Sequence, residues 1–348
     1  MKMVVITFSE CLILIIFNVM IGVVAASKTH EYVKSRERLP KSIRRVHNGV
    51  SMNSLQELTT RASFQDYIQL MKPGIMVLLV FEAVTAMIVA AGRSVSLASL
   101  GWLALVGILS SGGSAALNQY LEREKDVKMS RTDWRPVANK RVPPRNALAF
   151  GIALTAMGVG ISYIVLNPIT SLMILGGAVS YVFLYTMYLK PRTEWNIVIG
   201  GIAGVFPALA GWAAVTGTLG WPGIFIGTIV FLWTPPHFWG LSMKYKEDYK
   251  RTGFPMLPVI KSEVQVVQWI VVSSIPLFAF TFFPLALRFL GTFDLIYYIM
   301  AGALALAFLV VDVKMWRHPT KENGFLAFLV SLPYLFLLFG AMVVSALI

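Results

Sequence analysis

Cysteine is nearly absent from this sequence, which contains a single residue of that type, Cys11. One cysteine cannot form an intrachain disulfide and cannot build a cysteine-ligated metal site, so we expect no function based on thiols. The cysteine content therefore gives no information on the redox compartment.

Charged residues are also scarce. They make up 14% of the 348 residues, whereas 57% of the residues are apolar. A water-soluble domain of this size would have about half apolar and about a quarter charged residues. The composition therefore predicts a polytopic membrane protein.

Acidic residues are fewer than basic ones, 17 against 30, which gives a net charge of +13. Such an excess is found in nucleic-acid-binding proteins, but membrane proteins also collect Lys and Arg in their cytoplasmic loops. The positions of the basic residues decide between the two classes.

Apolar runs long enough to cross a bilayer occur nine times after residue 73, since a helix needs about 20 apolar residues to span it. The predicted spans are 74–92, 95–117, 147–166, 168–189, 195–217, 221–243, 265–289, 293–313 and 324–347. The predicted fold class is therefore an all-α bundle of nine transmembrane helices. A further apolar run, 4–26, precedes them and adds one N-terminal hydrophobic helix.

Basic residues concentrate in alternate connections between these spans. The segments 27–73, 118–146, 190–194, 244–264 and 314–323 together hold 27 of the 30 Lys and Arg residues. The positive-inside rule places these segments in the cytoplasm and the C-terminus outside. Because topology accounts for the charge, we expect no nucleic-acid partner.

The N-terminal region is predicted to consist of two parts. Residues 1–26 are a hydrophobic anchor or signal, and 27–62 are a basic, flexible cytoplasmic linker. A cleaved signal peptide would carry the basic linker outside, against the charge bias, which favours a retained anchor. Ala25-Ala26-Ser27 resembles a cleavage site, so processing stays open as the alternative.

A polar cluster follows the second span. Asn118, Glu122 and Asp126 recur at every fourth residue, so a helix that continues past the membrane surface places them on one face. Amide and carboxylate oxygens suit Mg²⁺, which is typically held by one or two carboxylates and substrate phosphates. Arg131 and Arg135 could take up phosphate charge. On charge pattern alone, a solvated loop with ordinary ion pairs remains the alternative.

A second polar loop, 244–251, lies on the same predicted side and contains Asp248. It follows the segment 232–239, Leu-Trp-Thr-Pro-Pro-His-Phe-Trp, in which Pro235 and Pro236 predict a broken helix around His237. Broken helices at membrane depth are tolerated where they line a cavity. The two loops together favour a metal and diphosphate site at the mouth of that cavity.

Two more acids fall within predicted spans. Glu82 lies in the middle of the first span, so a pocket-facing or protonated carboxyl is expected, with a structural hydrogen bond favoured over a cofactor contact. Asp312 lies near a cytoplasmic helix end and is expected to reach the surface or pair with Lys314 or Arg317.

The motifs resemble those of a known family. The blocks that carry the resemblance are 66–73, 118–136 with its Asn-x-x-x-Glu-x-x-x-Asp motif, 185–207, and 233–258 with Trp-Thr-Pro-Pro-His-Phe-Trp. The spaced Asn and acid motif is similar to the intramembrane (UbiA-type) prenyltransferases, and the tryptophan and histidine block resembles their protoheme IX farnesyltransferase, or heme O synthase, branch. The resemblance covers about 63–348.

The resemblance implies a prenyltransferase domain, 63–348, with a central cavity. It implies transfer of farnesyl from farnesyl diphosphate to a vinyl group of heme b, with water quenching the adjacent carbon to give heme O for terminal oxidases. Farnesyl diphosphate, heme b and the bilayer are the implied partners, with heme A synthase or terminal oxidase assembly downstream. Two departures bear on the site: Glu122 stands where many relatives have Asp, and Lys244 stands where other branches often carry a carboxylate.

Roles for individual residues follow from the same resemblance. Mg²⁺ would be held by Asn118, Glu122, Asp126 and Asp248, while Arg131, Arg135 and Lys190 stabilise charge on the diphosphate, with Lys140 or Lys250 as weaker candidates. Aromatic faces would protect the allylic cation. The side chains assigned to the cofactor and heme side are Tyr185, Asn196, Trp233, His237 and Trp239, with Trp195 and Phe238 as further aromatic candidates.

Two other functions stay open. The same fold could prenylate a quinone precursor or a lipid, although His237 within its tryptophan block favours heme. A multi-pass permease would also have many spans, but the acids lie at one face instead of the midplane. The absence of an Arg- and Ser-rich leader favours a prokaryotic plasma membrane.

Overall fold

The structure, a computed structural model, describes residues 62–287 and 293–348. The predicted anchor 1–26 and nearly all of the predicted linker 27–62 lie outside the described residues. Within the described part, every regular element is helical. The all-α fold class is confirmed.

Fourteen α-helices are described. They are α1 Phe64–Leu70, α2 Pro73–Ala91, α3 Leu97–Asp126, α4 Pro144–Val165, α5 Pro168–Val179, α6 Asn196–Gly200, α7 Phe206–Thr216, α8 Trp221–Lys244, α9 Lys246–Thr252, α10 Leu257–Ile260, α11 Glu263–Thr281, α12 Phe283–Leu287, α13 Leu295–Arg317 and α14 Lys321–Leu347. Short 3₁₀ turns add Gly92–Ser94 and Gly201–Gly204, and a π-helix, Ser180–Leu189, continues α5.

Nine helical segments in the described ranges are long and apolar enough to cross a membrane. Each coincides with one predicted span, with ends that differ by a few residues. The exception is α3, which continues beyond the predicted end at 117 to Asp126. That continuation was the condition for placing Asn118, Glu122 and Asp126 on one face, and it is met.

The helix starts follow from local sequence. Ser96, Asn167 and Thr320 each accept a hydrogen bond from a backbone N–H in the first turn of α3, α5 and α14. Such caps satisfy donors that the helix itself leaves without partners. Proline at the first or second helical position, as in α2 and α4, stops the preceding segment and fits a helix start.

Glycines allow close packing of α3 against α4. A Cβ atom on Gly113 would lie 2.7 Å from the Gly151 carbonyl oxygen, and one on Gly158 would lie 2.9 Å from the Ser110 nitrogen. These distances are too short for any side chain. In membranes small residues at such positions let two backbones approach, and dispersion contacts then hold the pair together.

Two sequence expectations are wrong. The prolines Pro235 and Pro236 do not break α8, which runs without interruption from Trp221 to Lys244. Neighbouring helices and hydroxyl groups tolerate proline in membrane helices, and the Thr234 hydroxyl donates to the Val230 carbonyl at 2.7 Å just before the pair.

The second wrong expectation concerns Asp312. The residue is 1% exposed, and its carboxylate makes no ion pair or hydrogen bond with Lys314 or Arg317. It shares the buried face of α13 with Phe308 and Met315, whereas Lys314 and Arg317 lie on the exposed face. Helical periodicity therefore separates the acid from its expected partners.

Candidate active site

A cavity of about 360 Å³ lies between α2, α3, α5 with its π-helix, the α6–α7 segment and α8. Most of its walls are apolar. The apolar side chains that line it include Ile75, Leu79, Val80, Ala83, Leu103, Met173, Ile174, Phe206, Ala210 and Phe238. Such a pocket suits a hydrocarbon chain.

One end of the cavity is strongly polar. The side chains that line this end, called the mouth below, are Lys72, Asn118, Glu122, Arg131, Arg135, Tyr181, Tyr185 and Lys190. They come from segments far apart in the sequence, and α3 supplies the two central ones. The mouth combines four cations with one lining carboxylate.

Asn118, Glu122 and Asp126 lie along one face of α3, as the sequence predicted. They are 2%, 5% and 2% exposed. Asn118 donates from Nδ2 to the Thr186 hydroxyl at 3.0 Å and accepts at Oδ1 from the Lys72 ammonium at 2.5 Å. Buried carboxylates require partners, and both acids on this face have them.

The partners of the two acids are cations. The Lys190 ammonium donates to Glu122, and the Arg135 guanidinium donates to both oxygens of Asp126 at 2.8 Å. Arg135 also lies 3.8 Å from the second Glu122 oxygen. Asp126 itself is outside the cavity lining, so it acts on the mouth through Arg135.

Lys72 and Tyr181 are the mouth residues to which the sequence analysis gave no role, and Lys72 is the charged one. It has a left-handed backbone conformation with φ of 52° immediately before Pro73, the first residue of α2. Its ammonium contacts Asn118 and, at 3.4 Å, the Tyr181 hydroxyl. Burial lowers the pKa of Lys72 well below its usual range, and nearby Arg135 lowers it further. The signal in the sequence is a basic residue directly before the proline that begins the first span.

Arg131 enters the mouth from the loop after α3. Its Nη2 donates to the Tyr249 hydroxyl at 3.2 Å, while its buried Nε has no partner in the described ranges. The guanidinium also lies over the Tyr245 ring at 5.6 Å. Both partners are neutral, so the positive charge of Arg131 is available to an anion.

Asp248 of the second predicted motif is 5% exposed but lies outside the cavity lining. It accepts from the Ser130 hydroxyl at 2.7 Å and from the Arg251 guanidinium. The hydrogen bond from Ser130 to Asp248 therefore connects the loop after α3 to α9. The structure does not bring Asp248 into direct contact with Asn118 or Glu122.

His237 points away from the cavity toward α14. Its Nδ1 lies 2.6 Å from the Ser331 hydroxyl, and its ring stacks on Trp233 with 3.9 Å between ring centroids. Its neighbours Thr234 and Phe238 line the cavity instead. The assignment of His237 and Trp233 to heme stays a prediction.

The remaining predicted residues divide between cavity and core. Tyr185 lines the mouth, whereas Asn196 and Trp239 are buried outside the lining. Trp239 packs edge to face on Trp195 at 6.3 Å. Lys140 and Lys250 are exposed and outside the lining.

Glu82 is 2% exposed and also lies outside the cavity lining. Its Oε1 has no hydrogen-bond partner among the described residues. The choice between a structural and a cofactor role for this carboxyl stays open.

The donor set at the mouth fits a magnesium ion that is bound together with a diphosphate. No group of three or more His, Cys, Asp or Glu in the described ranges could enclose a metal by itself. Mg²⁺ does not need such a cage, since it keeps several waters and is usually held by one or two carboxylates and substrate phosphates. The Asn118 amide oxygen and the Glu122 carboxylate, which line the cavity, would supply that smaller set, and Asp126 lies outside the lining on the same face of α3.

Comparisons with known proteins agree with this architecture. A relative from a Roseiflexus species, named protoheme IX farnesyltransferase, is 40% identical over 281 residues, which cover 81% of this chain and 52% of the relative. The chain thus spans about half the length of that relative. A relative from Cenarchaeum symbiosum, named protoheme IX farnesyltransferase 1, is 40% identical over 289 residues, which cover 81% of this chain and 96% of the relative.

A solved structure of a UbiA homolog from Archaeoglobus fulgidus, bound to GPP and Mg²⁺, superposes with a TM-score of 0.62 at 16% identity, covering 81% of this chain and 98% of the other. At that identity the likeness concerns the fold alone. The sequence profile described as the UbiA prenyltransferase family matches residues 79–341. With this match over most of its length and relatives that are 40% identical, the chain belongs to the UbiA prenyltransferase family.

Proposed function

We propose that this chain transfers the farnesyl group of farnesyl diphosphate to a vinyl group of heme b and so makes heme O. The observation that carries the proposal is an apolar cavity whose mouth combines four cations with carboxylates on one helix face. The two relatives described above are named for this reaction. Their names support the choice of heme as acceptor.

Recognition of the diphosphate is assigned to the mouth. Lys190 and Arg135 already have carboxylate partners, whereas Lys72 and Arg131 bond to neutral groups. The excess of positive charge favours an anion, and guanidinium groups bind phosphate oxygens in pairs. Both cations with neutral partners line the cavity, where they would contact the diphosphate.

Magnesium would be held by Asn118 and Glu122 together with the diphosphate, with Asp126 and Asp248, which lie outside the cavity lining, as the further predicted ligands. When bound, the ion makes the diphosphate a better leaving group. The contribution of the chain itself is to fix cations where negative charge builds on the departing oxygens, an effect of about 10²–10³ in rate for a single donor.

The apolar walls protect the farnesyl cation after the C–O bond to the diphosphate breaks. The ring faces of Tyr181, Tyr185 and Phe238 line the cavity near its mouth, and aromatic faces attract cations in sites that exclude water. A heme vinyl carbon then forms the new C–C bond. The oxygen of one water bonds to the adjacent carbon, and a proton is released, so that the products are heme O and diphosphate.

The sidedness of the protein is part of the proposal. Because the basic loops alternate with short loops of low charge, we assign the mouth to the cytoplasmic side of a plasma membrane and the C-terminus to the outside. Heme A synthase or terminal oxidase assembly would use the product downstream.

The test is an assay of purified protein with heme b, farnesyl diphosphate and Mg²⁺, followed by mass analysis of the porphyrin. We expect a hydroxyethylfarnesyl heme from the wild-type protein. Glu122→Gln should lower turnover about 10²–10³-fold, since it removes one of the charges that organise the mouth. Asp133→Asn, at an exposed acid of the same loop region, should leave turnover unchanged.

The same assay discriminates the alternatives. Prenylation of a quinone precursor or a lipid with no change in heme mass would assign a different acceptor to the same mouth. Uptake of a labelled solute into vesicles without any prenyl transfer would favour the permease and refute the enzyme.

A further inference from the structure

We infer that Gly107 of α3 sets the length of isoprenoid that the cavity accepts, by leaving room for the third isoprene unit of a farnesyl chain. The inference rests on the proposed function in one respect, since it takes the ligand to be a prenyl diphosphate with its charge at the mouth. It adds a residue that determines specificity at the other end of the same cavity.

One face of α3 forms a continuous wall of the cavity. Lining residues recur every three or four positions from the mouth inward, which is the spacing of a single helix face. They are Glu122, Asn118, Ser114, Ser111, Gly107 and Leu103. A chain anchored at Asn118 would therefore lie along small side chains as far as Gly107.

The depth of Gly107 matches the length of a farnesyl group. Gly107 is eleven residues from Asn118, or about 16 Å at 1.5 Å per residue. On the adjacent helix α2, Val80 is eight residues from Lys72, or about 12 Å by the same rise. A farnesyl main chain of twelve carbons, with bonds of about 1.5 Å, extends about 14 Å. Its last isoprene unit would thus reach the level at which Gly107 lies beside Val80 in the cavity wall.

At the depth of Gly107 the cavity has no room for a larger side chain at that position. A Cβ atom on Gly107 would lie 3.2 Å from Val80 Cγ2. Both residues line the cavity, so a longer side chain at position 107 would either displace Val80 or extend into the channel. In both cases the cavity becomes shorter.

Beyond Gly107 the cavity ends in packed side chains. Leu103 lines its far end and belongs to a buried cluster with Ala83 and Met87. Truncation of Leu103 would lengthen the channel by removing part of that floor. We therefore expect a larger side chain at position 107 to favour shorter isoprenoids and truncation of Leu103 to favour longer ones.

The test measures binding of geranyl, farnesyl and geranylgeranyl diphosphate to purified protein with Mg²⁺ and without heme. Gly107→Leu should weaken farnesyl relative to geranyl diphosphate by about ten-fold or more, the scale of discrimination by steric exclusion of hydrocarbon in a pocket. Leu103→Ala should improve geranylgeranyl relative to farnesyl diphosphate. A variant that is merely destabilised would change all three affinities alike.

The matched control is Gly101→Leu in the same helix, because a Cβ atom on Gly101 meets nothing within 4 Å and the position lies outside the lining. It should keep the wild-type ratios. An unchanged farnesyl-to-geranyl ratio in Gly107→Leu, or an equal change in Gly101→Leu, would overturn the inference. If Gly107→Leu does not fold, Leu103→Ala decides alone through its geranylgeranyl ratio.

Failure of the proposed function gives a different result. If the wild-type protein binds no prenyl diphosphate, the function itself is refuted. If it binds them but leaves heme unmodified, only the acceptor is refuted, and the chain-length ratios still test Gly107.

Discussion

The cations at the mouth differ in what they already contact, and this difference assigns them separate tasks. Lys190 and Arg135 compensate the buried charges of Glu122 and Asp126, so removal of either cation would leave a carboxylate buried without a partner. Lys72 and Arg131 contact an amide and a hydroxyl. The second pair is therefore better placed to respond to an arriving diphosphate.

Lys72→Met should weaken binding of farnesyl diphosphate about 10- to 100-fold, the loss expected for one charge-assisted hydrogen bond. Methionine keeps most of the side-chain length, so the change concerns the charge. Equilibrium binding of the diphosphate to purified protein measures the effect. The control is Lys128→Met at an exposed lysine outside the lining, and equal affinities for the two variants would exclude the role of Lys72.

His237 can be tested against its partner on α14. Both His237→Ala and Ser331→Ala remove the 2.6 Å contact between Nδ1 and the hydroxyl, and each should lower the free energy of unfolding by about 1–3 kcal/mol, since a buried polar atom loses its partner. Thermal unfolding in detergent measures this change. Heme b titration separates the two roles: a loss of heme affinity in His237→Ala alone would support heme binding, and equal affinities would restrict the residue to helix packing.

Sequence alone could identify the residues whose spacing has chemical meaning. Asn118, Glu122 and Asp126 were recognisable because a helix places every fourth residue on one face. Lys72 was not recognisable as a site residue, because it is one of nine basic residues in 27–73 and these were explained by the positive-inside rule. Its role depends on the packing of α2 against α3. The burial of Asp312 was missed because distance from the helix end does not say which face an acid occupies.

At the scale of elements, the pair α3 and α4 is held by backbone contacts that only glycine permits. Gly158→Leu should lower the free energy of unfolding by about 1–3 kcal/mol or more, since overpacking forces the two helices apart. Gly160→Leu is the matched control, as a Cβ atom at that exposed position meets nothing within 4 Å. Detergent-solubilised protein would be compared by thermal unfolding, and equal stability of the two variants would contradict this packing.

The helices themselves were predictable because hydrocarbon leaves the backbone few alternatives. A run of about 20 apolar residues in a bilayer must pair its own N–H and C=O groups, which makes it helical. Irregularities within a helix were not predictable, because this requirement is met equally well by several local hydrogen-bond patterns. The helix α8 continues through Pro235 and Pro236, and the segment after α5 widens into a π-helix; both outcomes depend on the packing of neighbouring helices.

At the scale of the whole molecule, the alternation of basic loops predicts which side of the membrane carries the mouth. Single cysteines can be introduced at Asp133 and Thr218 after replacement of Cys11 by serine; both positions are exposed in loops. We expect an impermeant maleimide to label Thr218→Cys on intact cells. Asp133→Cys should react only after permeabilisation, and the reverse pattern would invert the orientation.

The cavity is the part of the whole molecule that the sequence left undetermined. Its walls come from five helical segments, and none of their apolar residues differs in type from those that face lipid or core. Hydropathy therefore counts the spans without revealing which faces enclose a space. The resemblance to a known family implied the cavity, and the packing of α2, α3, α5, α7 and α8 gives it its shape.

The π-helix at Ser180–Leu189 has a consequence for how this protein tolerates changes in length. Its hydrogen bonds connect residues five apart, as from the Lys190 N–H to the Tyr185 carbonyl at 2.9 Å, so each turn of the segment holds more residues than a turn of an ordinary helix. Deleting one residue there, with the five-residue hydrogen bonds of the remaining segment kept, would turn everything after the deletion by roughly 90°. Lys190 would then leave Glu122, although every amino acid of the mouth is still present. The register of the backbone is thus as much a requirement for this mouth as the identity of its side chains.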